Sequence, residues 1–289
     1  MVIVKLYGGL GNQLFQYAAA RRISYINNVP LKLDVSSFES DKLRTYRLPN
    51  LNINAAVATP QEIAFFLDAG ARSLSTRLIN KCKPYYKKYF IQERGYEFDA
   101  NLLKATSPLY LDGYWQSDKY FLDIQDLLRC ELTVKPEPDE MNQSLLRKIQ
   151  SVNSVCLHVR RGDYISNPEV NQIHGVCDLE YYQQAIVSLR QVVSEPHFFI
   201  FSDDPEWAKT NLKLEYPMTF VTHNSGEKEY EDLRLMAACS HFIIANSSFS
   251  WWGAWLNTKP DKLVFAPQKW FKEASYKTSD LLPDSWIKV

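Results

Sequence analysis

Five short apolar runs, at 155–159, 198–201, 218–221, 242–245 and 263–266, recur through the second half of the chain with helix-length segments between them. Apolar strands alternating with helices imply a parallel sheet covered on both faces, which confines this half to the α/β class. One covering helix is explicit: Asp178 is placed to cap it, and Leu179, Tyr182, Ile186, Leu189 and Val193 follow at helical spacing. Polar residues gather where the runs end. Arg160, Arg161, Gly162, Asp163 and Tyr164 follow the first, Ser202 to Pro205 the second, Thr222 to Asn224 the third, and Asn246, Ser247 and Ser248 the fourth. Ligands of open α/β sheets bind outside the carboxyl ends of the strands, so a binding site is expected there.

The chain also opens on a strand–helix–strand pattern. Residues 2–6 read as a buried strand, Gly8 to Gly11 as a tight turn, and the stretch to Ile26 as a helix with Phe15, Ala19, Ile23 and Ile26 on one face; 29–34 reads as a second strand. From 39 to 130 the pattern is irregular and gives no strand order. The segment 132–139, with Pro136 and Pro138, reads as a linker. The expectation is therefore two Rossmann-like halves facing a cleft, 1–150 and 151–289. A chain of 289 residues with 46% hydrophobic residues can bury two such cores.

Lys plus Arg and Asp plus Glu both number 33, which leaves no excess of positive charge for a nucleic-acid surface. Five cysteines are scattered singly without a CxxC pair, pointing to a reducing cytoplasm. No apolar stretch approaches the roughly 20 residues that span a bilayer. Between Arg72 and Lys88 lie six basic residues and no acidic one, a solvated face or a dock for anionic lipid or a lipid-linked glycan.

The polar ends carry the chemistry. Arg160, leaving a strand into the Gly162–Asp163 turn, can present its planar fork to a diphosphate in place of a metal; the plainer reading pairs it with Asp163. Asn246, Ser247 and Ser248 precede a helix, so hydroxyls and free N–H groups there either nest an anion or merely cap the helix. Asp203 and Asp204 suit the N1–H and exocyclic amine of guanine better than a divalent cation, with a helix cap before Pro205 as the alternative. Gly8, Gly9 and Gly11 followed by Asp34 imitate a dinucleotide fingerprint, but Leu14 holds the third glycine position. That turn instead brings Asn12 and Gln13 toward the site. His158 lies within an apolar strand, and His174 with Cys177 lacks the second pair that a zinc site needs.

Four segments, GGLGNQLFQY at 8–17, HVRRGDY at 158–164, FSDDP at 201–205 and ANSSFSWWGAW at 245–255, together resemble the α-1,2-fucosyltransferases of glycosyltransferase family 11. The resemblance runs from Met1 to about Trp255. It implies a GT-B-type architecture, GDP-β-L-fucose as donor, a galactose 2-hydroxyl of an oligosaccharide or lipid-linked glycan as acceptor, inversion at the anomeric carbon and no metal or other cofactor. It further implies an acceptor-side N-terminal half and a GDP-sugar-binding C-terminal half. By motif, Arg160 is the donor-phosphate arginine, His158 contacts the nucleotide, Asp203 or Asp204 reaches guanine, and Asn246, Ser247, Ser248 and Phe249 lie along the GDP. Gly9, Gly11, Asn12 and Gln13 fall on the substrate side, and Asp163 is the candidate base. A cytoplasmic bacterial enzyme of surface-polysaccharide synthesis, peripheral to the inner membrane face, fits the same pattern. Two readings compete: a nicotinamide oxidoreductase, resting on Gly9, Gly11 and Asp34, and a non-catalytic glycan-binding module, resting on the seven tryptophans.

Overall fold

The computed structural model describes residues 1–67, 83–224, 226–273 and 275–289, and every side chain among them but those of Asp163, Ser166, Glu169 and Val170. Residues 72–82 of the basic stretch lie outside the described residues. Two compact units form, one of Met1–Thr133 with Ser279–Leu281, the other of Val134–Thr278 with Leu282–Val289. The helix Glu140–Gln150, which a boundary at 150 assigns to the first half, belongs to the second unit. Asn142 on that helix exchanges two amide hydrogen bonds with Asn224, at 2.9 and 2.8 Å, deep inside the second unit.

The first unit is built on five parallel strands, β1 (Val2–Lys5), β2 (Leu31–Asp34), β3 (Ala56–Val57), β4 (Phe90–Gln92) and β5 (Leu109–Asp112), in the order β3-β2-β1-β5-β4. Val2, Ile3 and Val4 are wholly buried, as the centre of a sheet covered on both faces requires. The helix Leu10–Ile26 makes the crossover from β1 to β2, burying Leu14, Phe15, Ala18 and Ala19. Its polar side is tied down as well. Tyr17 donates to Glu131 at 2.5 Å, and Arg21 grips the same carboxylate through Nε and Nη2, so this buried charge has both partner and hydrogen bonds.

The second unit holds six parallel strands, β6 (Asn153–Val159), β7 (Pro196–Ser202), β8 (Met218–Val221), β9 (His241–Ile243), β10 (Val264–Ala266) and β11 (Ile287–Lys288), in the order β11-β10-β9-β6-β7-β8. The five expected runs are all strands here. The chain proceeds outward from β6 through β7 and β8, then returns to the other side of β6 as β9. This is the doubly wound order of dinucleotide-binding folds, and its direction reverses between β6 and β9. The helix Leu179–Arg190 covers one face, capped by Asp178, whose Oδ1 accepts from the Tyr181 amide at 2.9 Å. Tyr182, Ile186 and Leu189 from it pack with Val155, Leu157, Ile200 and Ile243. Helices Glu229–Ala238 and Ser248–Leu256 meet at Gly253, where a Cβ would stand 2.8 Å from that of Met236.

Candidate active site

The carboxyl ends of β6 and β9 lie side by side at the switch point of the second sheet, and they deliver Arg160 and Asn246–Ser248. Arg160 places Nη1 3.2 Å from Asp203 Oδ2 and its guanidinium 5.4 Å from the Tyr164 ring centre. The other carboxylate oxygen of Asp203 accepts the Arg161 amide at 2.8 Å. Gly162 permits this approach, because a Cβ there would sit 2.6 Å from Asp203 Oδ2. Arg161 faces different partners: its guanidinium lies 3.9 Å from the Trp207 ring centre and its Nε 3.4 Å from Asp204. Asp204 also caps the helix Pro205–Asn211 by accepting the Trp207 amide at 3.2 Å. The two arginines thus face different partners, and both carboxylates are engaged by protein groups while the Asp204 side chain stays 38% exposed. Asp203 orients Arg160, and Asp204 is the helix cap.

The second anion-binding feature is the start of the Ser248–Leu256 helix. Ser247 is its N-cap in extended conformation, with no side-chain cap bond. A helix of nine residues thus begins with its N–H groups uncapped by any side chain among the described residues and with the positive end of its dipole at the edge of the sheet. Asn246 does something else. Its Nδ2 donates to the carbonyls of His174 and Trp270 at 3.0 and 3.1 Å, and its own carbonyl accepts from Tyr164 at 3.2 Å, so it clamps the loops around the site. His158, at the end of β6, is only 4% exposed, and its Nδ1 has no hydrogen-bond partner among the described residues. Its ring lies 6.2 Å from that of Phe249, the second residue of the uncapped helix. Burial, reinforced by Arg160, pushes the imidazole down to about 3, so it is neutral at any working pH. Asp163 falls in the short helix Gly162–Ser166, and its side chain lies outside the described residues.

In the first unit, Gly8 turns the chain at φ +79°, and Gly9 begins the helix that contains Gly11. Asn12 is half-buried and accepts from Gln116 at 2.9 Å. Gln13 is fully buried: it donates to the carbonyls of Gly8 and Thr45, both at 2.9 Å, and accepts the Arg47 amide. It braces the turn from within rather than facing a substrate. Asp34, the acidic residue a dinucleotide would need for its ribose, is 2% exposed and holds the Tyr110 hydroxyl at 2.5 Å and the Ser36 amide at 2.9 Å. That removes the acidic residue from the three on which the oxidoreductase reading rests. The tryptophans likewise belong to the core. Trp251, Trp252, Trp255 and Trp286 form one buried cluster, Trp115 and Trp270 are buried, and Trp207 lies under Arg161.

The model of glycosyl transferase family 11 matches residues 1–289, all the residues of the chain. The chain belongs to glycosyl transferase family 11. This family 11 protein is 34% identical over 299 residues to an α-1,2-colitosyltransferase of Escherichia coli, covering 100% of this chain and 99% of the relative. It is 35% identical over 302 residues to the O-antigen biosynthesis glycosyltransferase WbnK of the same organism, covering 98% and 99%. Human galactoside α-(1,2)-fucosyltransferase 1 matches at 28% identity over 156 residues, 51% of this chain and 43% of that one. Among solved structures, NodZ α-1,6-fucosyltransferase soaked with GDP-fucose superposes with a TM-score of 0.54 at 15% identity, over 91% of this chain and 94% of that one. The two parallel sheets of the family 11 protein thus make the GT-B-type fold, as the four sequence segments implied.

Two contributors to the site were not singled out in the sequence. Tyr164, under the Arg160 guanidinium and stacked on His174 at 4.8 Å, sits inside the HVRRGDY segment, and an aromatic four residues after an arginine on a turn is its signal. Trp207 is a helix residue whose contact with Arg161 spans 46 positions and has no local signature. Among the described residues no cluster of three or more His, Cys, Asp or Glu side chains could hold a metal, and no helix is long and apolar enough to cross a membrane.

Proposed function

We propose that the chain transfers L-fucose from GDP-β-L-fucose to the 2-hydroxyl of a galactose residue, with inversion and without a metal, in the cytoplasm of a bacterium building a surface glycan. The observation that carries this reading is the pairing, at one switch point, of the Arg160 guanidinium with a helix start that its own N-cap side chain leaves uncapped. Both are suited to the charge that grows on a diphosphate as it leaves, and an arginine fork fixed by Asp203 needs no reorganisation when that charge appears. The neutral His158 imidazole beside Phe249 contacts the nucleotide with a ring that keeps its uncharged form. Asp163 remains the proposed base for the acceptor proton. Turnover should survive excess EDTA, because arginine and helix dipole perform what a metal does elsewhere; loss in chelator restored by Mg²⁺ or Mn²⁺ would overturn that part.

The E. coli relative at 34% identity favours a second donor, GDP-colitose, whose sugar is fucose without the 3-hydroxyl. Competition between the two donors decides. A site that hydrogen-bonds the 3-hydroxyl rejects the deoxy sugar by about 10⁴-fold, whereas one that does not cannot separate them by more than about 10²-fold. A strong preference for GDP-fucose, with the product linkage read by methylation analysis, establishes the first reading; near-equal use or preference for GDP-colitose establishes the second.

A further inference from the structure

A cavity of about 270 Å³ opens at the carboxyl ends of β4 and β5 in the first unit. We infer that it is a subsite for one neutral pyranose ring, part of the glycan acceptor. The inference rests on the glycosyltransferase reading and deepens it by naming where the first unit takes its substrate. Small-molecule sites begin at about 300 Å³, so the space suits one sugar ring and not a nucleotide. Its apolar wall is presented by the half-buried Tyr85 and Phe98, with Phe98 edge-on against Tyr120 at 4.9 Å and Tyr120 in turn edge-on against Trp115 at 5.8 Å, the last two buried behind it. Aromatic walls suit the C–H faces of a sugar, while Glu93, Glu97 and Asp99 accept from its hydroxyls. Glu97 and Asp99, joined by Glu93 when it is ionised, outweigh Arg94 in the lining and disfavour phosphate, which separates this cavity in kind from the diphosphate edge of the second unit.

The walls are fixed in advance. Tyr85 donates to Asp99, Tyr120 accepts the Asp99 amide at 2.9 Å, and the Phe98 amide donates to Asp280 at 3.2 Å. Glu93 accepts the amides of Tyr114 and Trp115 at 2.6 and 2.9 Å, holding Trp115 at φ +56°. Burial lifts the Glu93 carboxyl to about 7 in spite of those two bonds, so near neutrality it exchanges a proton with little cost and can accept from or donate to a sugar hydroxyl. Rigid walls bind a small neutral ligand without first having to order themselves.

Gly95 supplies the test. It lines the cavity, and a Cβ built on it meets nothing within 4 Å, so a larger side chain can start from the cavity wall without a clash at its first carbon. Saturation-transfer NMR would be recorded with methyl β-D-galactoside, methyl β-D-glucoside, methyl α-D-mannoside and methyl N-acetyl-β-D-glucosaminide on the wild type, Gly95→Ala and Gly95→Phe, with GDP binding measured by calorimetry on each. The expected result is transfer to at least one glycoside in the wild type and Gly95→Ala, a loss of tenfold or more in Gly95→Phe, and the same GDP affinity throughout. Transfer to none of the glycosides, or undiminished transfer in Gly95→Phe, overturns the cavity assignment. Failure of the wild type to bind GDP strikes the proposed function instead, so the two failures are distinguishable.

Discussion

Arg160 and Arg161 are neighbours in sequence with opposite expected consequences. Arg160 is held by Asp203 at the sheet edge proposed to meet the diphosphate, so Arg160→Ala should lower kcat about 100-fold, the ~3 kcal/mol of a lost transition-state donor. Arg160→Lys should recover little, since an ammonium keeps the charge without the fork. Arg161→Ala gives up its stack on Trp207 and its pairing with Asp204, which should cost about 1 kcal/mol of stability and leave kcat within a few-fold. Steady-state kinetics and thermal melts on the three variants check this; a dead Arg161→Ala with a competent Arg160→Ala would reverse the assignment. The arginines and serines were legible because they follow strands at the sheet edge. The roles of Asp203, Asn246 and Gln13 were not, because a sequence shows a polar residue near a site and not which carbonyl or guanidinium its side chain meets across 42 or 72 positions.

At the scale of elements, the strands that could be read were those with a continuous apolar run. β6 and β7 have seven residues each, nearly all buried. β3 and β11 have two residues, all exposed, and in β4 only Ile91 is buried, so none of them carries the periodicity of a strand buried on either face. Such edge strands are placed by their neighbours and by turns, and the order of the first sheet was accordingly hidden. In the turn after β6, the approach of Asp203 to Arg160 depends on Gly162. Gly162→Ala would set a Cβ 2.6 Å from Asp203 Oδ2 and drive that carboxylate off Arg160 without deleting any reacting group. The expected outcome is a kcat reduced about tenfold, a GDP affinity changed less than threefold, and partial recovery in a Gly162→Ala, Asp203→Ser double variant, for which a shorter side chain relieves the contact. Wild-type kcat in Gly162→Ala would show that Asp203 does not position the arginine.

Across the whole molecule, buried carboxyls and a buried imidazole set opposing pH dependences. Burial, with Glu229 and Glu231 adding to it and Asn224 opposing, raises Asp232 from 3.8 to about 7, while His158 is lowered from 6.5 to about 3. A raised folded pKa means the fold holds the Asp232 proton more tightly than the unfolded chain does, so its contribution is fully present below 3.8 and is lost as pH rises through 7. His158 works the other way, binding its proton more weakly in the fold, so stability rises with pH from 3 to 6.5 and is constant above. Glu93, at about 7, falls with Asp232. Above pH 6.5 the His158 contribution no longer changes and, among the described residues, only the Met1 ammonium, lowered by burial, opposes the carboxyls, so the melting temperature should decline from there to pH 8. Asp232→Asn keeps an oxygen for the Asn224 amide, which donates to Asp232 at 2.9 Å, and removes the buried charge. It should therefore melt higher than the wild type at pH 8 by the equivalent of about 1 kcal/mol or more, roughly 2–4 °C, and show little difference at pH 5, where the wild-type carboxyl is protonated in the fold. Melts at the two pH values on both proteins suffice: an Asp232→Asn variant less stable than the wild type at pH 8 would mean that the charged carboxylate is the form the Asn142–Asn224 network was built to hold.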